Sequence, residues 1–171
     1  MKRQFPYAVS YLATVCLLVG CNPGNATGSR GASNVTRTIV AQANETDIKV
    51  RVANITTQLS RGGKLPGLLL DANVLEEKIG DGVLGPSDFF AFYALTVPVA
   101  DIPAWQAALA TSPVVNGPAK YAAPKSSVSW WLSEEEFGKL ELFGPKPLTD
   151  RFNGWLAISP DGRIYIYSFT M

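Results

Sequence analysis

The sequence contains no histidine, and its only two cysteines, Cys16 and Cys21, sit near the start of a chain of 171 residues. Without histidine there is no Ser-His-Asp or Cys-His catalysis, no histidine-ligated zinc and no imidazole titrating near neutral pH. Any acid-base chemistry falls to Asp, Glu, Lys or Tyr. Charge is scarce as well: Asp, Glu, Lys and Arg make up 17% of the chain and balance to +1. The clustered Lys and Arg that track a phosphate backbone are missing, which argues against nucleic acid as a partner. Aromatic side chains are absent from residues 22 to 86, whereas residues 89 to 171 hold fifteen of them. Because aromatic residues bury the largest areas, the core is expected mainly from the C-terminal half. One domain is expected at this length.

Met1, Lys2 and Arg3 form a basic start, and Phe5 to Gly20 carries no charge. A spanning helix needs roughly 20 apolar residues. This run is shorter and is interrupted by Pro6, Ser10 and Thr14, so it reads as a secretion signal rather than a retained anchor. It ends in Leu18-Val19-Gly20-Cys21. That ending resembles the lipobox of bacterial lipoproteins over residues 1 to 21. The resemblance implies that residues 1–20 are removed as a signal peptide, that the Cys21 thiol receives a diacylglyceryl group, and that the new amino terminus is acylated. In such lipoproteins Asp after the acylated Cys commonly signals inner-membrane retention. Asn22 stands there instead, which implies the outer membrane, facing the periplasm, or the cell membrane where the source has a single one. The other reading is a conventional cleavage slightly downstream, near Ala26. Either way the mature chain has no free thiol and no disulfide.

Removal of residues 1–20 leaves 13 basic against 14 acidic residues. No polybasic patch remains to supplement the lipid, so acyl chains alone hold the protein to the membrane. Four N-x-Thr sequons, beginning at Asn25, Asn34, Asn44 and Asn54, would fit a glycosylated secreted protein. Beside a lipobox they read as the ordinary composition of exposed segments. Asn22 to Asn34 is rich in Asn, Gly, Ser, Ala and Thr, with too little apolar surface to offset chain entropy. The expected organisation is therefore an acylated Cys21 and flexible tether over 21–46, followed by a single domain over 47–171. As a random coil the stretch from 22 to 34 would hold that domain roughly 20 Å from the bilayer.

Within the domain, Ile48, Val52, Ile55 and Leu59 recur at helical spacing ahead of Gly62-Gly63, which predicts a helix. Residues 68–79 stay open: Leu68, Ala72, Leu75 and Ile79 fit a helical face, and a strand running into Gly80-Asp81-Gly82 fits equally. Ser87 to Val97 is apolar on both alternating faces, as a central strand is. Asp101 with Pro103 predicts a helix start, with Trp105, Ala108 and Leu109 inward. Val128 to Leu132 reads as a strand, and Ser133 with Glu136 as a capping box. Ser159-Pro160-Asp161-Gly162-Arg163 predicts a three-residue hairpin loop. Its register sets Trp155 opposite Tyr167 and Ala157 opposite Tyr165. One face of that hairpin is then aliphatic (Leu156, Ile158, Ile164, Ile166) and the other aromatic (Trp155, Tyr165, Tyr167, with Phe169). The fold class is α+β, a small, mostly antiparallel sheet with short helices.

Chemical candidates are few. Glu134, Glu135 and Glu136 form the densest acid cluster, but a glycosidase needs two carboxylates about 5 to 10 Å apart across a sugar. Adjacent helical residues diverge, so these acids read as complements to a helix start. The scattered Asp residues make no calcium-loop spacing, and Arg61-Gly62-Gly63-Lys64 lacks phosphate-loop spacing. No cofactor, metal ligand set or catalytic residue is assigned. Aromatic residues are the better material: Trp130-Trp131, on a strand, would send their rings to opposite faces, and Trp155, Tyr165 and Tyr167 form either a face buried under helices or an exposed binding platform. The pattern from Gly154-Trp155-Leu156-Ala157 to Ile164-Tyr165-Ile166-Tyr167 resembles the final hairpin of uncharacterised bacterial lipoproteins and secreted proteins, and implies no activity. Two readings follow: a non-catalytic binding or assembly module of the envelope, with a protein or glycan partner, or a carboxylate-dependent hydrolase of an envelope glycan or peptide.

Overall fold

A computed structural model describes residues 37–42, 47–60, 64–79, 88–114 and 118–170. Cys21, the signal run, the Gly62-Gly63 stop and the Gly80-Asp81-Gly82 turn lie outside the described residues. The body is a six-stranded, wholly antiparallel sheet with short helices, an α+β fold. In chain order come β1 (Arg37–Gln42), α1 (Ile48–Leu59), β2 (Asp71–Ile79), β3 (Asp88–Thr96), a 3-10 turn (Val99–Asp101), α2 (Ile102–Leu109), α3 (Glu134–Phe137), β4 (Glu141–Phe143), α4 (Lys146–Thr149), β5 (Asn153–Ile158) and β6 (Arg163–Phe169). The strands lie in the order β1-β2-β3-β6-β5-β4. Strand β1 falls inside the stretch assigned to the tether, so the sheet begins at Arg37 rather than after residue 46.

Each face of the sheet carries its own core. On one face α1, α2 and α4 cover Ala72, Val74, Tyr93, Leu95, Leu156, Ile158, Ile164 and Ile166, with Ile55, Leu59, Trp105, Leu109 and Leu148 reaching down from the helices. The aliphatic face of the hairpin is thus buried as its sequence predicts, each of its four residues at 4% exposure or less. Helix α1 starts where the Asp47 carboxylate accepts the Lys49 amide at 2.8 Å, and Arg51 ties it to β2 through Asp71 Oδ1, 2.5 Å away, and the Ala72 carbonyl at 3.1 Å. The other face packs Ala94, Trp155, Ala157 and Tyr165 under Leu132 and Phe137. No helix among the described residues is long and apolar enough to cross a membrane.

The closing hairpin has the predicted register, Trp155 against Tyr167 and Ala157 against Tyr165. Ser159 N–H donates to Arg163 O at 2.8 Å, and Gly162 takes φ +88°, the left-handed position the loop requires. Gly154, at φ +118°, lies so near β6 that a Cβ would stand 2.0 Å from the Tyr167 carbonyl oxygen. The capping box forms in full around Ser133 and Glu136.

Four expectations are settled differently or newly resolved. Residues 71–79 form a strand, and Ala72 and Leu75 lie on its opposite faces. Burial on both sides had blurred the period of two. Ile48 is 49% exposed, overhanging the core at the first turn of α1. Asp101 makes no cap bond, because the 3-10 turn before it already holds its backbone in helical geometry; its carboxylate accepts the Leu68 amide at 3.4 Å, and Ala108 faces outward. Residues 128–132 are not a strand but turns and irregular chain.

Candidate functional site

The second core is closed by a segment with little regular structure. Between α2 and β4 the chain crosses to the aromatic face and lays residues 118–133 and α3 over it. Irregular backbone over a core must find partners for its amides and carbonyls. Here the aromatic side chains supply several of them: Trp155 Nε1 donates to Lys120 O at 2.9 Å, Trp131 Nε1 to Ala122 O at 3.0 Å, and Tyr121 Oη to Leu132 O at 2.9 Å. Glu77, fully buried on the same face of β2, accepts the Lys125 amide at 2.6 Å. The Trp155 indole and the Glu77 carboxylate thereby clamp the cover to the sheet, while the Trp131 and Tyr121 bonds brace the cover within itself.

The rings beneath it form a continuous cluster. Trp155 packs against Phe137 with centroids 4.7 Å apart, and Trp131 lies 5.7 Å from both Trp155 and Tyr165. Trp130 and Trp131 do not diverge across a strand; they meet edge to face at 5.9 Å within this one cluster. Burial pushes the Tyr165 hydroxyl above the usual tyrosine range, and burial first, then the Glu134 and Glu136 carboxylates, does the same for Tyr121. Trp155 and Tyr165, at 1% and 3% exposure, belong to the covered core rather than to an open platform. Tyr167, Trp130 and Trp131 are half-buried.

The cover stops short of the end of β6. There Tyr167 stacks on Phe92 at 5.2 Å and continues into Phe169 at 5.4 Å, with Phe90 6.0 Å from Phe169. A groove of about 280 Å³ opens at this point, between Pro118, Lys120 and Tyr121 of the cover and Asn153, Tyr167 and Phe169 of the sheet, with Trp155 also among its lining residues. Its chemistry is aromatic, with one cation, one amide and no carboxylate among the lining residues. The triple glutamate lies elsewhere: all three side chains are exposed, Glu135 pairs with Lys139 at 2.6 Å, and Glu136 is occupied by the capping box. Among the described residues no three His, Cys, Asp or Glu gather as a metal site would require.

Sequence reasoning brought Trp155 and Tyr167 together at this groove and missed Lys120, Tyr121 and Glu77. Tyr121 and Lys120 lie in chain without periodicity, where no local pattern points inward. Glu77 would have been found had 68–79 been read as a strand, since alternation sets it beside Leu75 on the aromatic face.

No family model, no curated protein and no solved structure matches this chain.

Proposed function

We propose that the protein is a lipid-anchored module of the bacterial envelope, attached through Cys21 to the outer membrane, or to the cell membrane where there is only one, and that its groove binds an envelope glycan. The observation that carries this reading is the open end of an otherwise covered aromatic face. Flat rings with an apolar face, flanked by an amide and a cation, suit a sugar ring and its polar substituents. At about 280 Å³ the groove is of small-ligand size.

The first described strand enters the sheet at its groove end. Strand β1 enters the sheet with Arg37 beside Ile79, and Ile79 pairs with Asp88. This is the end of the sheet where Phe90, Phe169 and Asn153 also lie.

The test is co-sedimentation of the purified protein with insoluble glycan isolated from envelopes. Lys120→Glu, at an exposed side chain, and Phe169→Ala are expected to lose capture while remaining folded. Capture undiminished in both variants would overturn the reading. The hydrolase alternative would be favoured instead if soluble fragments accumulated and a carboxylate substitution abolished their release while the protein still sedimented.

A further inference from the structure

The helical face has a cleft of its own, independent of the aromatic groove. It measures about 280 Å³ and lies between α1, the α4–β5 connection and the sheet, lined by Gln58, Leu59, Glu76, Tyr93, Thr149 and Arg151. Five of these six residues carry polar side-chain groups, in a face otherwise apolar. The charges are balanced, one guanidinium against one carboxylate, and each is about a quarter exposed.

They are also held apart. Arg151 Nη2 stands 3.7 Å from Glu76 Oε1, and the Tyr93 hydroxyl donates to the same oxygen at 3.5 Å. Charge-assisted hydrogen bonds close to about 2.5–2.9 Å, and an Arg–carboxylate pair built for stability is usually bidentate. Arg151 Nη1 is buried with no hydrogen-bond partner among the described residues. A partly desolvated guanidinium with uncommitted donors calls for an acceptor. The backbone is arranged to hold it: Arg151 N–H donates to Thr149 Oγ1 at 3.3 Å, just after Asp150 turns the chain at φ +57°.

We propose that this cleft binds a small zwitterion, the class to which free α-amino acids belong. A simple anion would meet Arg151 but be repelled by Glu76, and a simple cation the reverse. A molecule with a carboxylate and an ammonium a few atoms apart answers both, its carboxylate on the guanidinium fork and its ammonium on Glu76, with Gln58 and Thr149 as further polar contacts at the wall. The 280 Å³ volume limits the ligand to a small one.

Calorimetric titration of the full chain with glycine, L-alanine and D-alanine tests this, with N-acetylalanine and alaninamide as probes lacking one charge each. At least one of the zwitterions is expected to bind about tenfold or more tightly than both single-charge probes. Glu76→Gln is expected to erase the preference over N-acetylalanine, and Arg151→Gln the preference over alaninamide. If Arg151→Gln fails to fold, Glu76→Gln alone decides. Absence of heat and of thermal stabilisation with all three zwitterions overturns the proposal and leaves Arg151 and Glu76 a structural ion pair. Equal binding of N-acetylalanine overturns it in favour of an anion site.

Discussion

Trp155 gives the sharpest stability prediction, because two different losses can be separated at one position. Its side chain is 1% exposed, touches the rings of Phe137, Trp131 and Tyr167, and donates its indole N–H to Lys120 O at 2.9 Å. Truncating a buried Trp to Ala costs about 3–5 kcal/mol through lost transfer energy and the cavity left behind. The lost hydrogen bond adds about 1 kcal/mol. Against a total of about 5–15 kcal/mol for a domain, Trp155→Ala should leave the protein marginal. Trp155→Phe keeps most of the ring and deletes the donor, so about 1–2 kcal/mol should go. Urea unfolding at equilibrium reads both, and Ile166→Ala on the helical face should fall near the Trp155→Ala value, since both faces are core. A loss under about 1 kcal/mol for Trp155→Ala would refute the claim that residues 118–133 close a second core.

Intact mass of the protein extracted from membranes should show a lipid increment on a chain beginning at Cys21, and Cys21→Ala should lose both increment and membrane association; an unlipidated wild type would remove the anchor. Glu136 titrates below the usual carboxylate range, held there first by the Ser133 backbone N–H and then by its hydroxyl. A depressed folded-state value means a contribution fully present above the unfolded value, about 4.3, and lost as pH falls through the folded one. Glu136→Gln should therefore flatten the acid limb of the stability profile below about pH 5, and an unchanged limb would contradict the capping-box assignment.

Much of this fold was readable because its strongest signals are local. The capping box needs only Ser133 and Glu136, three residues apart, and the hairpin needs only the Pro160-Asp161-Gly162 loop and the two alternating runs beside it. Reading failed where burial depended on distant chain. Residues 71–79 are covered on both faces, so their pattern resembled a helix as much as a strand. Val128, Trp130 and Leu132 alternate like a strand, yet no strand among the described residues pairs with them; Trp130 and Leu132 turn inward because they roof an aromatic face formed some thirty residues later. The groove was legible only in part for the same reason. Tyr167 and Trp155 follow from hairpin register, but where the cover ends is a property of its packing. Arg151 and Glu76 stand 3.7 Å apart although they lie 75 positions apart in the sequence, and no local spacing announces them.

The most direct measurement of the groove reading uses the four tryptophans as reporters. Their indole N–H groups give separate signals in a proton–nitrogen correlation spectrum. Trp155 lines the groove and hydrogen-bonds to its wall at Lys120, whereas Trp105 is buried beneath α2 on the opposite face of the sheet. Titration with soluble fragments of envelope glycan should shift the Trp155 indole signal and leave that of Trp105 in place. No movement of Trp155 at saturating fragment, or movement of Trp105 alone, would contradict the account.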